Sequence, residues 1–377
     1  MSRSRCGAKT VVASGMMPVS AEIADRLRAH LEDPAQPFDI GEIAGHGLDV
    51  LPILADLLRE DLPIQQTERL EAILKAVLFD AFQKPVCGPD ARRIAAFQKS
   101  LGFILKYKSY AVKAASPLGY SIFLQTAGQG FSFQRHTVHK LEVFHILAVK
   151  PGGYVFLCDS DHWNRVYQPA SFARWLAGAP DPAYDPYRFE PRPGDVFVIS
   201  ELNVVHTVIG CVLEEYATVS TDMVERLHDQ NAGKTIPASF NRANTEAALR
   251  ALAAPPASRI VSGDRKRRFQ QIPPEPVSGG ERILLCDSFV RAARYRMGPG
   301  IESAAFQDDG RAASLHIFAG HGSILIADPS EPAPPPIEFT PGDLFLIPPG
   351  IRYSLSNAAA SDLEYSEHLI APAVAFI

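Results

Sequence analysis

Hydrophobic residues recur every three to four positions over the first hundred residues, and every two positions over most of the remainder. The first texture predicts helices. Ser20 is a candidate N-cap for AEIADRLRAHL, in which Ile23, Leu27 and Leu31 fall on one face. Further helices are predicted over 47–59, 65–82 and 89–101. Leu70, Ile73, Leu74, Val77 and Leu78 form the strongest stripe, a packing surface rather than a site. From about Tyr107 the runs shorten to SYAVKAA, YSIFLQ, FSFQRH, KLEVFHILAV and GYVFLCD, rich in β-branched and aromatic residues and punctuated by Gly and Pro. About eight such strands, with one helix expected at 170–178, predict a small barrel or jelly roll.

The strand texture returns near residue 280. PGDLFLIPPGIRY at 341–353 echoes PGDVFVISELNVVH at 193–206, so a second barrel of the same kind is expected. There Tyr353 stands where the first copy has His206. Ser314 stands where a glutamate would face the pocket, and His316 and His321 flank an AGHG turn. The reading is mainly β: two barrels in tandem with an added α-helical N-terminal domain. Its boundaries are a loose leader at 1–16, a helical domain at 17–105, a metal-binding barrel at 106–226, a linker with one helix (243–254) at 227–278, and a degenerate second barrel at 279–377.

Composition narrows the function classes. The chain of 377 residues is 46% hydrophobic and 21% charged with a net charge of -5, so no basic field argues for nucleic acid. No apolar run spans a membrane, and no signal-peptide layout is visible. The five dispersed cysteines lack a CxxC and fit reduced thiols in a cytoplasmic protein.

Chemistry concentrates in GFSFQRHTVHKLEVFHIL, residues 130–147. Strand alternation puts Ser132, Gln134 and His136 on one face. It groups Glu142 with Phe144 and Ile146, and turns Val143, His145 and Leu147 the other way. If the two polar faces converge, Gln134, His136 and Glu142 meet in an apolar pocket that the distant His206 completes. Two imidazoles, a carboxylate and an amide oxygen suit a divalent transition metal; the bland alternative is four polar residues on solvated faces. His139 is an alternative to Gln134. His145 is expected in a core or outward role, His162 in a loop without a role, and His228 at a pocket mouth.

Paired barrels with a QxH start, a PGD turn and a late His resemble the cupin superfamily. Over 119–230 and 282–370 the chain resembles, more narrowly, the short type I mannose-6-phosphate isomerases. Gln134-Arg135-His136 matches that family's QxH, Lys140-Leu141-Glu142 its K-x-E, and Pro193-Gly194-Asp195 with His206 its PGD…H. Leu213-Glu214, Ser220-Thr221-Asp222 and Arg226 match the tail after the barrel. Thr137 replaces the proline after QxH, Ser200-Glu201-Leu202 replaces the turn before the last His, and the family's N-terminal motif is missing.

The resemblance implies a metal-dependent aldose–ketose isomerase acting on a sugar phosphate or related polyol. Its metal would be held by Gln134, His136, Glu142 and His206: zinc first, Fe(II) or manganese as alternatives. Arg226 and Lys140 would face an anionic group, and Glu214 or Asp222 would stand as candidate bases. The expected partner is a small molecule, with homodimerisation open. His136, Glu142 and His206 equally form the two-histidine, one-carboxylate set of non-haem Fe(II) oxygenases, and cupins also include binding proteins without catalysis.

Overall fold

The computed structural model describes residues 19–33, 39–60, 62–83, 86–101, 105–108, 111–115, 118–136, 140–199, 204–218, 224–228, 258–261, 269–288, 290–303, 310–327 and 334–370. The leader at 1–16, the helix expected at 243–254, His139 and Asp222 lie outside these residues.

Helical periodicity is realised in α1 (Val19–Glu32), α2 (Ile40–Gly45), α3 (Leu51–Arg59), α4 (Ile64–Phe82) and α5 (Gly88–Leu101). The segment expected as one helix from residue 47 opens instead with a 3-10 turn, Gly47–Val50. Pro52 then sits in the first turn of α3, where its missing N–H breaks no helical bond. The stripe on α4 is fully buried and joins a core that includes Ile23, Leu27 and Leu31 of α1 and residues of both barrels. Ala91 and Ala95 of α5 pack instead into the core of the second barrel.

The first barrel comprises β1 (Leu105–Lys108), β2 (Ala111–Ala115), β3 (Tyr120–Leu124), β4 (Phe133–His136), β5 (Glu142–Asp159), β6 (Arg188–Phe189), β7 (Asp195–Ile199), β8 (Val204–Ala217) and β9 (Val224–His228), with α6 (Ser160–Val166) and α7 (Pro169–Leu176) between β5 and β6. β10 (Ser258–Val261) pairs parallel to β7, and β11 (Phe269–Ile272) pairs with β10. The stretch expected as a linker at 227–278 therefore returns two strands to the first sheet. The strand order is β1-β2-β3-β8-β5-β7-β10-β11. β4 and then β9 branch from β8, and β6 branches from β5.

β5 and β8 pair along almost their whole lengths and change direction together near Gly153 and Gly210. Gly210 has φ +66, and a Cβ there would lie 3.1 Å from the Cα of Gly153, so the corner is built by two glycines in close approach. The alternation flips at this corner. On β5 the barrel interior receives Phe144 and Ile146 before the corner but Val155 and Leu157 after it. On β8 it receives Val204 and Val208 before, Cys211 and Leu213 after. The outer face beyond the corner is covered by α6 and α7 through Phe133, Phe156, Trp163, Phe172 and Trp175.

The second barrel has a six-stranded sheet, in the order β12-β13-β14-β20-β15-β18, and a three-stranded sheet, β17-β16-β19. Its strands are β12 (Glu275–Val277), β13 (Gly280–Asp287), β14 (Val290–Met297), β15 (Ala312–Ala319), β16 (Gly322–Ala327), β17 (Ile337–Phe339), β18 (Leu344–Ile347), β19 (Arg352–Asn357) and β20 (Leu363–Ile370). The chain is thus two small β-barrels in tandem with a helical N-terminal domain. The barrels pack face to face: Val143, Leu147 and Tyr216 of the first share a core with Ala292, Phe318, Leu346 and Ile370 of the second. Among the described residues, Cys158, Cys211 and Cys286 are free thiols, as expected. No described helix is long and apolar enough to cross a membrane.

Candidate metal centre

The two polar faces converge. β4 lies against the near half of β8 with Gln134 directly opposite His206, while Glu142 opens β5 in the facing layer, paired with Ile199 and Ala217. Glu142 Oε2 lies 3.3 Å from His136 Nε2 and 3.4 Å from His206 Nε2, and one ligating atom from each residue falls within 4.8 Å of the others. All three side chains are buried to 3% exposure or less. Phe144 and the paired imidazoles, with ring centres 4.9 Å apart, wall the site.

These contacts are not aligned as hydrogen bonds. His136 Nε2 and Glu142 Oε2 are left without a partner although buried. A buried carboxylate oxygen and an imidazole nitrogen without partners cost several kcal/mol in order of magnitude, unless something else occupies the point they share. A divalent cation fits that point: nitrogen and carboxylate donors converge on it, and His136 Nε2 and Glu142 Oε2 have no other partner there. His206 Nδ1 lies 3.2 Å from the Val204 carbonyl; as the donor there, it leaves Nε2 with its lone pair toward the centre.

Gln134 presents its amide to the same point. Nε2 lies 3.4 Å from His206 Nε2, and Oε1 accepts from Ser132 Oγ at 3.1 Å. A half-turn about the last side-chain bond exchanges these roles. It aims the carbonyl oxygen at the centre and lets the amide nitrogen donate to Ser132.

Lys140 is not a free cation facing a substrate. Its ammonium donates to Glu142 Oε1 and lies 3.3 Å from Glu215 Oε1. Burial alone would lower the Lys140 pKa, but the two carboxylates outweigh it and hold it above its ordinary value. Burial would likewise raise the Glu142 carboxyl, yet Lys140 and the neighbouring imidazoles hold it well below the usual range. One Glu142 oxygen is thereby tied to Lys140 and the other is turned to the histidines. Lys140→Met should weaken metal binding about 10- to 100-fold, as loss of a ligand-orienting partner does; a competition titration with a chelator measures it.

Glu214 is not at this site. Because the interior parity of β8 flips at Gly210, Glu214 faces the second barrel and is fully buried there. It accepts from Tyr120 Oη at 2.8 Å, Tyr216 Oη at 2.9 Å and His145 Nδ1 at 2.9 Å, and from Ser366 Oγ. Glu215 takes the site side instead, beside Lys140. A glycine inside a strand pattern signals a bulge, so Gly210 was the clue that separates the two. His145 takes the core role expected of it.

His228 also departs from expectation. It packs on Phe133 and Phe172 and lies 3.1 Å from Tyr167 Oη, within the aromatic cluster under α6 and α7. Arg226 lies opposite Gln134 across the β4–β9 pair, on the same face by register, and is exposed. His162 belongs to α6, where Nε2 donates to the Ala183 carbonyl at 2.9 Å. In the second barrel, Tyr353 takes the place of His206 as expected and donates to the buried Glu367 at 2.6 Å. Ser314 and His316 alternate with the interior residues Ala313, Leu315 and Ile317, so both turn outward rather than to a pocket.

No family model matches the chain, and no curated protein does. Among solved structures, a deletion mutant of oxalate decarboxylase from Bacillus subtilis is similar, at 12% identity over 71% of this chain and 75% of that one, with a TM-score of 0.45. Oxalate decarboxylase from Lactobacillus farciminis, in complex with formate, is similar at 11% identity over 71% of this chain and 83% of that one, with a TM-score of 0.40.

Proposed function

We propose that the chain is a metal-dependent aldose–ketose isomerase acting on a sugar phosphate or a closely related sugar. The observation that carries this reading is the convergence of Gln134, His136, Glu142 and His206 on one buried point, with Lys140 clamped to Glu142. These are the residues of the QxH, K-x-E and late-His segments through which the sequence resembles the type I mannose-6-phosphate isomerases. His136, Glu142 and His206 would hold the ion, with Gln134 as a weaker oxygen donor. A bound divalent ion supplies Lewis-acid polarisation of a carbonyl oxygen and a hold on the adjacent hydroxyl. Phe144 and the barrel interior keep bulk water from the centre. Arg226, exposed beside Gln134, offers a fixed fork of donors to an anionic group at the mouth.

The test is anaerobic incubation of the metal-loaded chain with hexose and pentose phosphates in D₂O. Deuterium should enter C1 or C2 of at least one of them. Arg226→Lys should slow exchange, and Arg226→Ala should slow it further, about tenfold or more in total, with metal content unchanged. A second reading rests on the same three ligands: two histidines and a carboxylate also hold the iron of Fe(II) oxygenases. Absence of deuterium exchange, with Fe(II)-dependent oxygen consumption on an unphosphorylated compound, would sink the isomerase in favour of the oxygenase.

A further inference from the structure

Lys140 and Glu142 stand two residues apart at the start of β5 and turn to one side, while Leu141 between them packs on the core shared by both barrels. The Leu141 peptide is pinned to Thr218 twice: its N–H donates to Thr218 Oγ1 at 3.1 Å, and its carbonyl accepts from the Thr218 N–H at 3.0 Å. Glu215 reaches the same place from β8. Ala217 is the register partner of Glu142, and Glu215, two residues earlier on the strand, is the diagonal neighbour on that face. The Lys140 ammonium is thus held between two carboxylates, donating to Glu142 Oε1 and lying 3.3 Å from Glu215 Oε1.

A carboxylate can ligate a cation through one oxygen or through both. At Glu142 the two oxygens are committed differently. Oε1 is held by Lys140, whereas Oε2 has no hydrogen-bond partner and lies 3.3 Å from His136 Nε2 and 3.4 Å from His206 Nε2. Only Oε2 is presented to an ion. For Oε1 to join it, the ammonium would have to withdraw, and with its side chain only 16% exposed, water is a poor replacement for the carboxylates. Glu215 keeps the ammonium on the Oε1 side, away from the point where the ion belongs.

We propose that Lys140 and Glu215 are a positioning pair that keeps Glu142 a one-oxygen ligand, and that the coordination so spared takes a ligand through two oxygens on adjacent carbons. The proposal rests on the metal centre of the preceding reading, not on the sugar phosphate. With His136, His206, Glu142 and Gln134 giving one donor each, an ion that takes about six donors keeps about two for outside oxygens. A carbonyl and the hydroxyl on the neighbouring carbon need both. A two-oxygen Glu142 would leave about one, enough for either group but not for the pair.

Full-length chain loaded with Mn(II) alone reports this through the relaxation of water protons, which scales with the number of exchanging waters on the ion. At saturating Mn(II), Lys140→Met should lose about one of about two such waters, a fall in relaxivity of about twofold. Lys140→Arg keeps a cationic donor on Oε1 and should restore the wild-type value. A merely structural role would weaken Mn(II) binding and leave the relaxivity of the loaded chain unchanged. Glu215→Ala should weaken Mn(II) binding about tenfold, the scale of losing a partner of a ligand. Glycolate, whose hydroxyl and carboxylate oxygens sit on adjacent carbons, should displace both waters of the wild-type chain and bind Lys140→Met about tenfold or more weakly, for want of the second position. Wild-type relaxivity in Lys140→Met, no recovery in Lys140→Arg, wild-type Mn(II) affinity in Glu215→Ala, or glycolate binding that ignores Lys140→Met would each overturn the proposal. A wild-type chain that takes up no Mn(II) would overturn the metal centre and the pair together. Failure of deuterium exchange with the water count intact would remove the isomerase reading and leave the pair standing.

Discussion

Purified wild-type chain should carry about one divalent ion, and His206→Ala should lose it. Three of the side chains that meet at the centre are almost wholly buried, and two of their ligating atoms have no other partner. Removing one imidazole leaves a carboxylate and a single histidine, too few to hold zinc, iron or manganese against water. Changes to partners of ligands commonly cost 10- to 100-fold in affinity, so loss of a ligand itself should cost about 100-fold or more. His136→Ala and Glu142→Ala should behave alike. Gln134→Ala should retain the ion more weakly, because an amide oxygen adds little to the charge of the site. His321→Ala, on an exposed turn of the second barrel, should leave the metal content unchanged. Elemental analysis after dialysis against a weak chelator reads all five. Equal metal loss from His321→Ala would overturn the assignment.

The parts of this site that were legible in the sequence are those governed by short-range alternation. Ser132, Gln134 and His136 lie on one face because β4 is a regular strand, and Glu142 faces them because β5 starts in register with the opposite layer. The PGD segment fixed the direction of the chain toward His206. Legibility ended where alternation broke. Gly210 turns β8 through a corner, so counting by two from His206 places Glu214 in the pocket, when the true occupant of that side is Glu215. A bulge on β9 has a similar effect: Gln134 faces Arg226 but Phe133 faces His228, which sends His228 to the aromatic cluster.

The clustering of Glu214 with Arg294 and Ser366 was not legible at all. Those residues are some 80 and 150 positions away in sequence, a separation across which no local pattern carries information. The second barrel kept its repeat signal but exchanged its polar set for tyrosines around Glu367. The PGD echo therefore revealed the fold of that half and said nothing about its interior chemistry.

Glu214→Ala should destabilise the chain by about 3–5 kcal/mol, the cost of leaving one member of a buried ion pair alone. Arg294 lies 3.6 Å from Glu214 and 4.1 Å above the Phe318 ring. Its guanidinium makes no hydrogen bond, so Glu214 and Glu364, whose Oε2 lies 3.8 Å from it, are its compensating charges. Burial alone would raise the Glu214 carboxyl, but Arg294 and the His145 and Ser366 donors bring it down to about 2. A carboxyl lowered on folding binds fewer protons in the folded state. Its contribution is therefore present above about pH 4.5 and lost as pH falls toward 2. His316 and His368 act earlier: burial lowers each to about 3, so both are neutral when folded. Protonation of the unfolded chain erodes their contribution from about pH 6.5 downward. Acid unfolding should accordingly begin well above the carboxylate range and steepen below pH 4.5. Urea titrations from pH 7 to pH 3 would show this, with Glu214→Ala lower throughout and flatter below pH 4.5. The double variant Glu214→Leu with Arg294→Met should recover much of the lost stability, since it removes both charges and not one. A Glu214→Ala chain within about 1 kcal/mol of wild type would mean that this cluster does not hold the two barrels together.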